Sequence, residues 1–193
     1  MMKRALWTVL IAATAVTLTA CGGGSTSPEV PVKARPAATS YWTMDSNNYI
    51  NGGNTAQSTS SSTGTLITTV VVSTATINGG DQSNGAYSGS SIAFAFKGTP
   101  TDGIYTLVQD QSAFLAADPT TAPMLVNVNI GLAVTTGSSQ YTATAGTVHA
   151  IRDQDGIFHF TTVAPVFVNK TLDVSGGVAG SPNVMTLNVA DAY

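Results

Sequence analysis

The sequence predicts an all-β domain of antiparallel strands, and three observations lead to this prediction. Runs of β-branched and aromatic residues alternate with Gly, Asn, Asp and Pro along 41–193, which is the pattern of strands separated by turns. Only one short stretch looks helical, so helical crossovers between parallel strands are not expected. Threonine, which fits a half-buried pleated surface, is abundant, whereas charged residues make up only 9% of the chain.

The predicted strands follow one another along the domain with turn residues between them. In the segment 89–98 the alternation places Ile92, Phe94 and Phe96 on one face of a strand. The pair Tyr41 and Trp42 predicts an aromatic first strand. The further strands are predicted at 65–77, 89–98, 103–109, 124–136, 140–152, 156–163, 166–174 and 184–190.

Two segments of the domain are predicted to lie outside the strands. The segment 110–118 looks helical, because Asp110 can cap its start and Pro119 prevents much extension. The low-complexity run NTAQSTSSSTG at 54–64 is interpreted as a mobile surface loop, and it carries no aromatic or charged residue that could anchor a partner.

Eight or nine strands without helical crossovers form a sandwich or a barrel. We expect an antiparallel β-sandwich, Ig-like or jelly-roll-like, and a lipocalin-like β-barrel is the alternative. The segment 41–193 is long enough for one domain with a sizeable core. Because Cys21 is the only cysteine, an internal disulfide is not expected and the fold has to be held by packing.

Residues 1–20 have the composition of a cleaved secretory signal peptide. The positively charged Lys3 and Arg4 are followed by the segment 5–20, which carries no charge and contains several threonines. This segment falls short of the roughly 20 apolar residues that a membrane-spanning helix needs. We therefore exclude it from the fold.

The end of this segment carries a second motif. Leu18-Thr19-Ala20-Cys21 resembles the lipobox of bacterial lipoproteins, which signal peptidase II recognises. The resemblance implies cleavage between Ala20 and Cys21, a diacylglyceryl group on the Cys21 thiol and a fatty acid such as palmitate on the new amine. Two or more acyl chains anchor a protein stably. By resemblance to enteric sorting rules, Gly22 in place of an aspartate implies the outer membrane.

The residues between the lipobox and the domain, 21–40, are predicted to form a linker. Glycine and serine make such a segment flexible, while Pro28, Pro31 and Pro36 stiffen parts of it. The chain from Cys21 onward has five basic and ten acidic residues, a net charge of −5. This charge argues against nucleic acid or an anionic lipid surface as a partner. The expected partners are the membrane, through the lipid anchor, and an envelope protein or a glycan.

The two histidines, His149 and His159, flank the predicted turn at 153–156. With a three-residue loop, Ile151 pairs with His159 and His149 pairs with Thr161, so both imidazoles share one face as diagonal neighbours. Zinc requires three or four ligands, and no third ligand is indicated. We therefore expect solvent-exposed strand histidines and no metal site.

Other chemical motifs are weak. The sequence contains no G-x-S-x-G motif, no paired carboxylates and no glycine-rich phosphate motif, and the DQDG run at 153–156 lacks the third acid of a calcium loop. We predict neither catalysis nor a cofactor. Tyr41 and Trp42 could stack on a sugar ring if they were exposed, but a first strand pinned into the core is the preferred interpretation.

These observations predict a lipid-anchored lipoprotein of the bacterial cell envelope, with a non-enzymatic binding or structural role. The alternative is a lipocalin-like carrier of a small apolar ligand, and an envelope hydrolase or its accessory is a weaker alternative. An apolar pocket of several hundred cubic ångströms inside a closed barrel would favour the carrier, whereas a filled core would oppose it.

Overall fold

The computed structural model describes residues 41–74, 90–132 and 137–193. In these segments the chain forms eleven strands, and almost all of their pairings are antiparallel. The strands are β1 Tyr41–Met44, β2 Asn47–Ser62, β3 Thr65–Thr74, β4 Ser91–Lys97, β5 Gly103–Leu107, β6 Pro123–Leu132, β7 Gly137–Ala143, β8 Thr147–Arg152, β9 Phe158–Thr162, β10 Val166–Val174 and β11 Val184–Val189. The prediction of an all-β, antiparallel domain is confirmed.

The strands form one curled sheet in the order β4-β3-β2-β1-β11-β10-β7-β6-β5-β8-β9. Strand β4 also pairs with β6, from Ser91↔Asn129 to Phe96↔Met124. Eight of the strands therefore make a continuous cycle of pairings, β1-β2-β3-β4-β6-β7-β10-β11. The remaining three, β5, β8 and β9, extend the sheet beyond β6 through a short parallel pairing of β5 with β6.

The strand predicted over 140–152 is wrong in its extent, because the chain bends in the middle of it. Strand β7 ends at Ala143 and β8 begins at Thr147. Between them Gly146 adopts a φ of +128°, and a Cβ atom on this residue would lie 2.4 Å from Val166 Cγ1. Only glycine combines this backbone conformation with such a close approach, so the bend depends on Gly146.

The inner face of the curled sheet carries the main hydrophobic core. Phe94 of β4 stacks on Phe160 of β9, with ring centroids 3.8 Å apart and an interplanar angle of 7°. Trp42 and Tyr49, paired across β1 and β2, also stack. The largest fully buried side chains of this core are Trp42, Tyr49, Tyr141, Phe94, Phe96, Phe160, Met44, Ile92, Met124, Ile130 and Leu187. Side chains from β9 therefore fill the interior together with those of the eight-strand cycle.

A second, smaller core lies between the outer face of the sheet and the predicted helix. Helix α1, Gln111–Ala116, begins as expected, because Asp110 Oδ1 accepts a hydrogen bond of 2.7 Å from the Ala113 N–H. Its Phe114 is fully buried in a cluster with Ile67, Ala95 and Leu125. A 3₁₀ helix, Pro119–Thr121, follows, so the proline starts a new turn instead of extending α1.

The interpretation of 54–64 as a mobile loop is wrong. Most of this segment belongs to β2, which pairs with β3 from Asn54↔Ser73 to Ser62↔Thr65. The two strands are joined at Thr63 and Gly64, which both have positive φ, as the tight hairpin turn requires. Residues 55–61 are exposed throughout, so this strand shows no apolar alternation that a sequence pattern could reveal.

The described helices are short. Within the described ranges, no helix has both the length and the apolar character needed to cross a membrane.

Candidate functional site

A buried histidine held between two carboxylates forms a polar cluster within the domain. His159, on β9, is only 2% exposed. Its Nδ1 lies 2.9 Å from Asp191 Oδ1, and its Nε2 lies 3.3 Å from Asp153 Oδ2. A carboxylate only accepts hydrogen bonds, so the ring satisfies both partners when it carries a proton on each nitrogen.

Asp153 is placed in this cluster by the turn that joins β8 and β9. Its Oδ1 accepts hydrogen bonds of 2.9 Å from the N–H groups of Asp155 and Ile157, which fixes the side chain over the turn. Burial acts most strongly on this group and by itself raises the pKa of Asp153. The hydrogen bonds from Ile157, His159 and Asp155, together with the nearby imidazole charge, outweigh burial and lower the pKa of Asp153 below its ordinary value.

The other side of His159 is covered by residues that follow β11. The Tyr193 ring stacks on the imidazole, with ring centroids 4.5 Å apart. Next to this contact, Phe160 and Ala192 exchange two backbone hydrogen bonds of 2.9 and 3.0 Å. The imidazole therefore ties the β8–β9 turn to the segment after β11.

The geometry of the cluster is that of a structural tie and does not suit catalysis or metal binding. Asp153 and Asp191 bind opposite nitrogens of one ring, so their oxygens do not converge on one ion together with that ring. In the described segments, no group of three or more His, Cys, Asp or Glu side chains is arranged to hold a metal ion. The His159 side chain is 1% exposed, which leaves it no open face towards a substrate.

The hairpin register predicted for the two histidines is confirmed, but the expected environment of one of them is wrong. His149 pairs with Thr161 and Ile151 pairs with His159, as predicted. His149 is partly exposed, whereas His159 is buried instead of solvent-exposed. The reason is the contact with Asp191 and Tyr193, because residues so distant in the sequence cannot be placed by the pattern of one hairpin.

The remaining predicted site residues are distributed as follows. Ala20 and Cys21, at the predicted cleavage and lipidation site, lie outside the described residues. Tyr41 is the first residue of β1, and only its backbone is among the described parts of the structure. Trp42 is 0% exposed, so its indole lies in the core and is not presented to a sugar ring.

A surface groove lies where the sheet bends. Its volume is about 280 Å³, and it is formed by the connection between β7 and β8 and by the connection between β9 and β10. Its lining residues are Thr144, Ala145, Gly146, Thr147, Ala164, Pro165, Val166 and Phe167. None of these side chains is ionisable, so the groove offers apolar contact and hydroxyl groups but no charge.

No protein-family model, curated protein or solved structure matches this chain. The function therefore has to be inferred from the residues of the chain itself.

Proposed function

We propose that this chain is a lipid-anchored lipoprotein of the bacterial cell envelope, with a non-enzymatic binding or structural role. The observation that carries the proposal is the four-residue match Leu18-Thr19-Ala20-Cys21, placed directly after an uncharged segment that follows Lys3 and Arg4. A thiol is the nucleophile suited to take a lipid in a thioether bond. Several acyl chains on one residue then hold the protein at a bilayer.

The position of the domain agrees with this anchoring. Strand β1 begins at Tyr41, and Trp42 is already in the core. The linker of this proposal is the segment 21–40 that precedes them. The twenty residues from Cys21 to Ser40 span at most about 70 Å when fully extended. A domain tethered in this way stays within reach of the membrane surface.

Two features of the domain support a non-enzymatic role. The polar cluster around His159 has its partners within the domain, and the imidazole itself is buried. The surface groove is lined by neutral residues and offers no acid or base for proton transfer. An envelope hydrolase or its accessory is therefore the weakest of the candidate functions.

For the fold, we propose the barrel alternative in preference to the sandwich. The pairing of β4 with β6 supports it, because the order of pairings then closes on itself. Trp42, Phe94 and Tyr141 lie fully buried in the interior, which argues against a ligand cavity and hence against a lipocalin-like carrier. Saturable binding of a fatty acid to the lipid-free chain would instead favour the carrier.

The anchoring is tested by labelling cells with a radioactive fatty acid. We expect the Cys21→Ser chain to lose all label and to accumulate as the uncut precursor. A matched control is the double variant Cys21→Ser/Ser25→Cys, which keeps one thiol but places it four residues too late, and it should also remain unlabelled. A processed, membrane-bound product of Cys21→Ser would refute the proposal.

The outer-membrane location is a separate part of the proposal. It rests on Gly22, since an aspartate at this position favours retention in the inner membrane under enteric sorting rules. We expect the Gly22→Asp variant to move to the inner-membrane fraction of a sucrose gradient while it keeps its fatty-acid label. If wild type and variant sediment together with the inner membrane, the assignment to the outer membrane is wrong.

A further inference from the structure

We propose that the groove at the bend of the sheet forms a second membrane contact. It lies against a bilayer surface of zwitterionic lipid and orients the tethered domain. The contact surface, here called the bend patch, consists of Val163, Ala164, Pro165 and Phe167 beside the groove. The inference rests on the proposed lipid anchor and adds a protein surface that faces the same membrane.

The first observation is the exposure of large apolar side chains. Val163 is 63% exposed and Phe167 is 64% exposed. Val166 and Val168, on either side of Phe167 in β10, are buried, so Phe167 points to the outer face of the sheet. Val163 is exposed in the connection between β9 and β10. Exposed apolar groups clustered around a groove are typical of an interaction surface.

The second observation is that the patch can enter a bilayer interface at low cost. No charged side chain lines the groove, so no charge has to be desolvated. Part of the backbone at the groove is already hydrogen-bonded, because the Thr144 N–H donates to the Phe167 carbonyl and the Val163 N–H donates to the Thr147 carbonyl. Aromatic and aliphatic side chains carried on such a surface insert into the headgroup region.

The third observation is where the tether joins the domain. Strand β1 pairs with β11 through Trp42↔Val189, and β11 pairs with β10 through Leu187↔Val166. In this register Val166 is level with Met44 at the end of β1. The start of β1 therefore lies two strand spacings to the side of the start of β10 and three residues along the strand, a distance of roughly 14 Å. A tether that enters so close to the bend patch keeps the patch at high effective concentration near the lipid to which Cys21 is attached.

The charge of the chain selects the kind of lipid surface. Its net charge of −5 from Cys21 onward opposes an anionic membrane, so the contact is apolar and fits zwitterionic lipid. Because several acyl chains already supply stable anchoring, the patch contributes orientation more than affinity. One side of the domain then faces the membrane and the opposite side is presented to the envelope.

The test uses the complete lipidated protein in phosphatidylcholine vesicles, with and without brominated acyl chains. Tryptophan is introduced at the patch by Phe167→Trp and at a matched position by Leu66→Trp. Leu66 is also exposed, at 46%, but its strand β3 lies four pairings from β10 in either direction around the cycle. The native Trp42 is fully buried, so it serves as a constant background.

We expect the emission of the Phe167→Trp protein to shift to shorter wavelength on vesicles and to be quenched by brominated lipid at least about twofold more than that of Leu66→Trp. Equal quenching of the two variants on vesicles that retain the protein would overturn the inference while leaving the anchor intact. A wild-type chain that carries no fatty acid and does not float with vesicles would instead refute the proposed anchoring. A blue shift without lipid that grows with protein concentration would assign the bend patch to a second copy of the chain and would also overturn the inference.

Discussion

Replacing His159 with phenylalanine tests the interpretation of the buried cluster as a structural tie. The variant keeps an aromatic ring to stack on Tyr193, whose ring centroid lies 4.5 Å from that of His159, but it removes both hydrogen bonds to carboxylates. The Asp153 side chain is 0% exposed, so its carboxylate would remain buried without the imidazole that faces it. Removing one partner of a buried ion pair costs about 3–5 kcal/mol.

Two features of the structure place the expected cost at the lower end of that range. Asp153 Oδ1 keeps its hydrogen bonds from the N–H groups of Asp155 and Ile157, and the Asp191 side chain is 14% exposed and can recover water. We therefore expect His159→Phe to lower the free energy of unfolding by about 3 kcal/mol. For a domain of this size, that corresponds to a fall in Tm of about 6–12 °C.

The assay is urea unfolding of the lipid-free mature chain, followed by the fluorescence of Trp42, which is buried in the folded state. His149→Phe is the matched control, because His149 lies on the same hairpin but is partly exposed, and we expect it to change stability by less than about 1 kcal/mol. A double-mutant cycle with Asp153→Asn should give a coupling energy of about 1–3 kcal/mol. If the two histidine variants lose equal amounts of unfolding free energy, or if the coupling energy is near zero, His159 does not hold the β8–β9 turn against the segment after β11.

Three further predictions follow from single contacts. The pKa of Asp153 is lowered in the folded state, so its ionised form stabilises the domain at pH values above its unfolded pKa of about 4. This stability is lost as the pH falls through the folded pKa. Asp153→Asn should therefore flatten the acid side of a plot of Tm against pH, and an unchanged acid side would contradict this. Trp42→Ala should cost about 3–5 kcal/mol in urea unfolding followed by circular dichroism, because it empties a core position. Trp42→Phe should cost less than about 1.5 kcal/mol, because phenylalanine keeps an aromatic ring in the core and the lost indole N–H is buried without a hydrogen-bond partner. Equal costs for the two variants would be inconsistent with this packing. Gly146→Ala should destabilise the domain by more than about 2 kcal/mol, because a Cβ there would lie 2.4 Å from a methyl group of Val166. Gly156 also has positive φ but has open space around it, so Gly156→Ala should cost only about 1 kcal/mol. If thermal unfolding ranks the two variants in the opposite order, the bend is not tightly packed.

Local patterns in the sequence predicted much of the secondary structure correctly. The alternation of Ile92, Phe94 and Phe96 places these residues on the buried face of β4, and Asp110 caps α1. Each of these features depends on residues only a few positions apart, since strand alternation has a period of two and an N-cap acts on the first helical turn. The register of the β8–β9 hairpin was predictable for the same reason.

Features that depend on distant residues were not predictable in this way. The polar strand β2 has no alternation of its own, and its partner β3 together with the tight turn at Thr63 and Gly64 makes it a strand. The bend at Gly146 requires the side chain of Val166, twenty positions later. A search for β-branched and aromatic runs detects neither, because it weighs local residue types and not the surface that they will contact.

The sequence by itself determined the all-β class and the capped helix, and it carries the lipobox-like residues on which the proposed anchoring rests, because each of these is a property of neighbouring residues. The tertiary structure alone decided that β4 meets β6 and that His159 is enclosed by Asp153, Asp191 and Tyr193. It also decided that Val163 and Phe167 lie exposed beside one groove. These arrangements arise when strands far apart in the chain pair, because strand pairing places residues side by side whatever their separation in sequence.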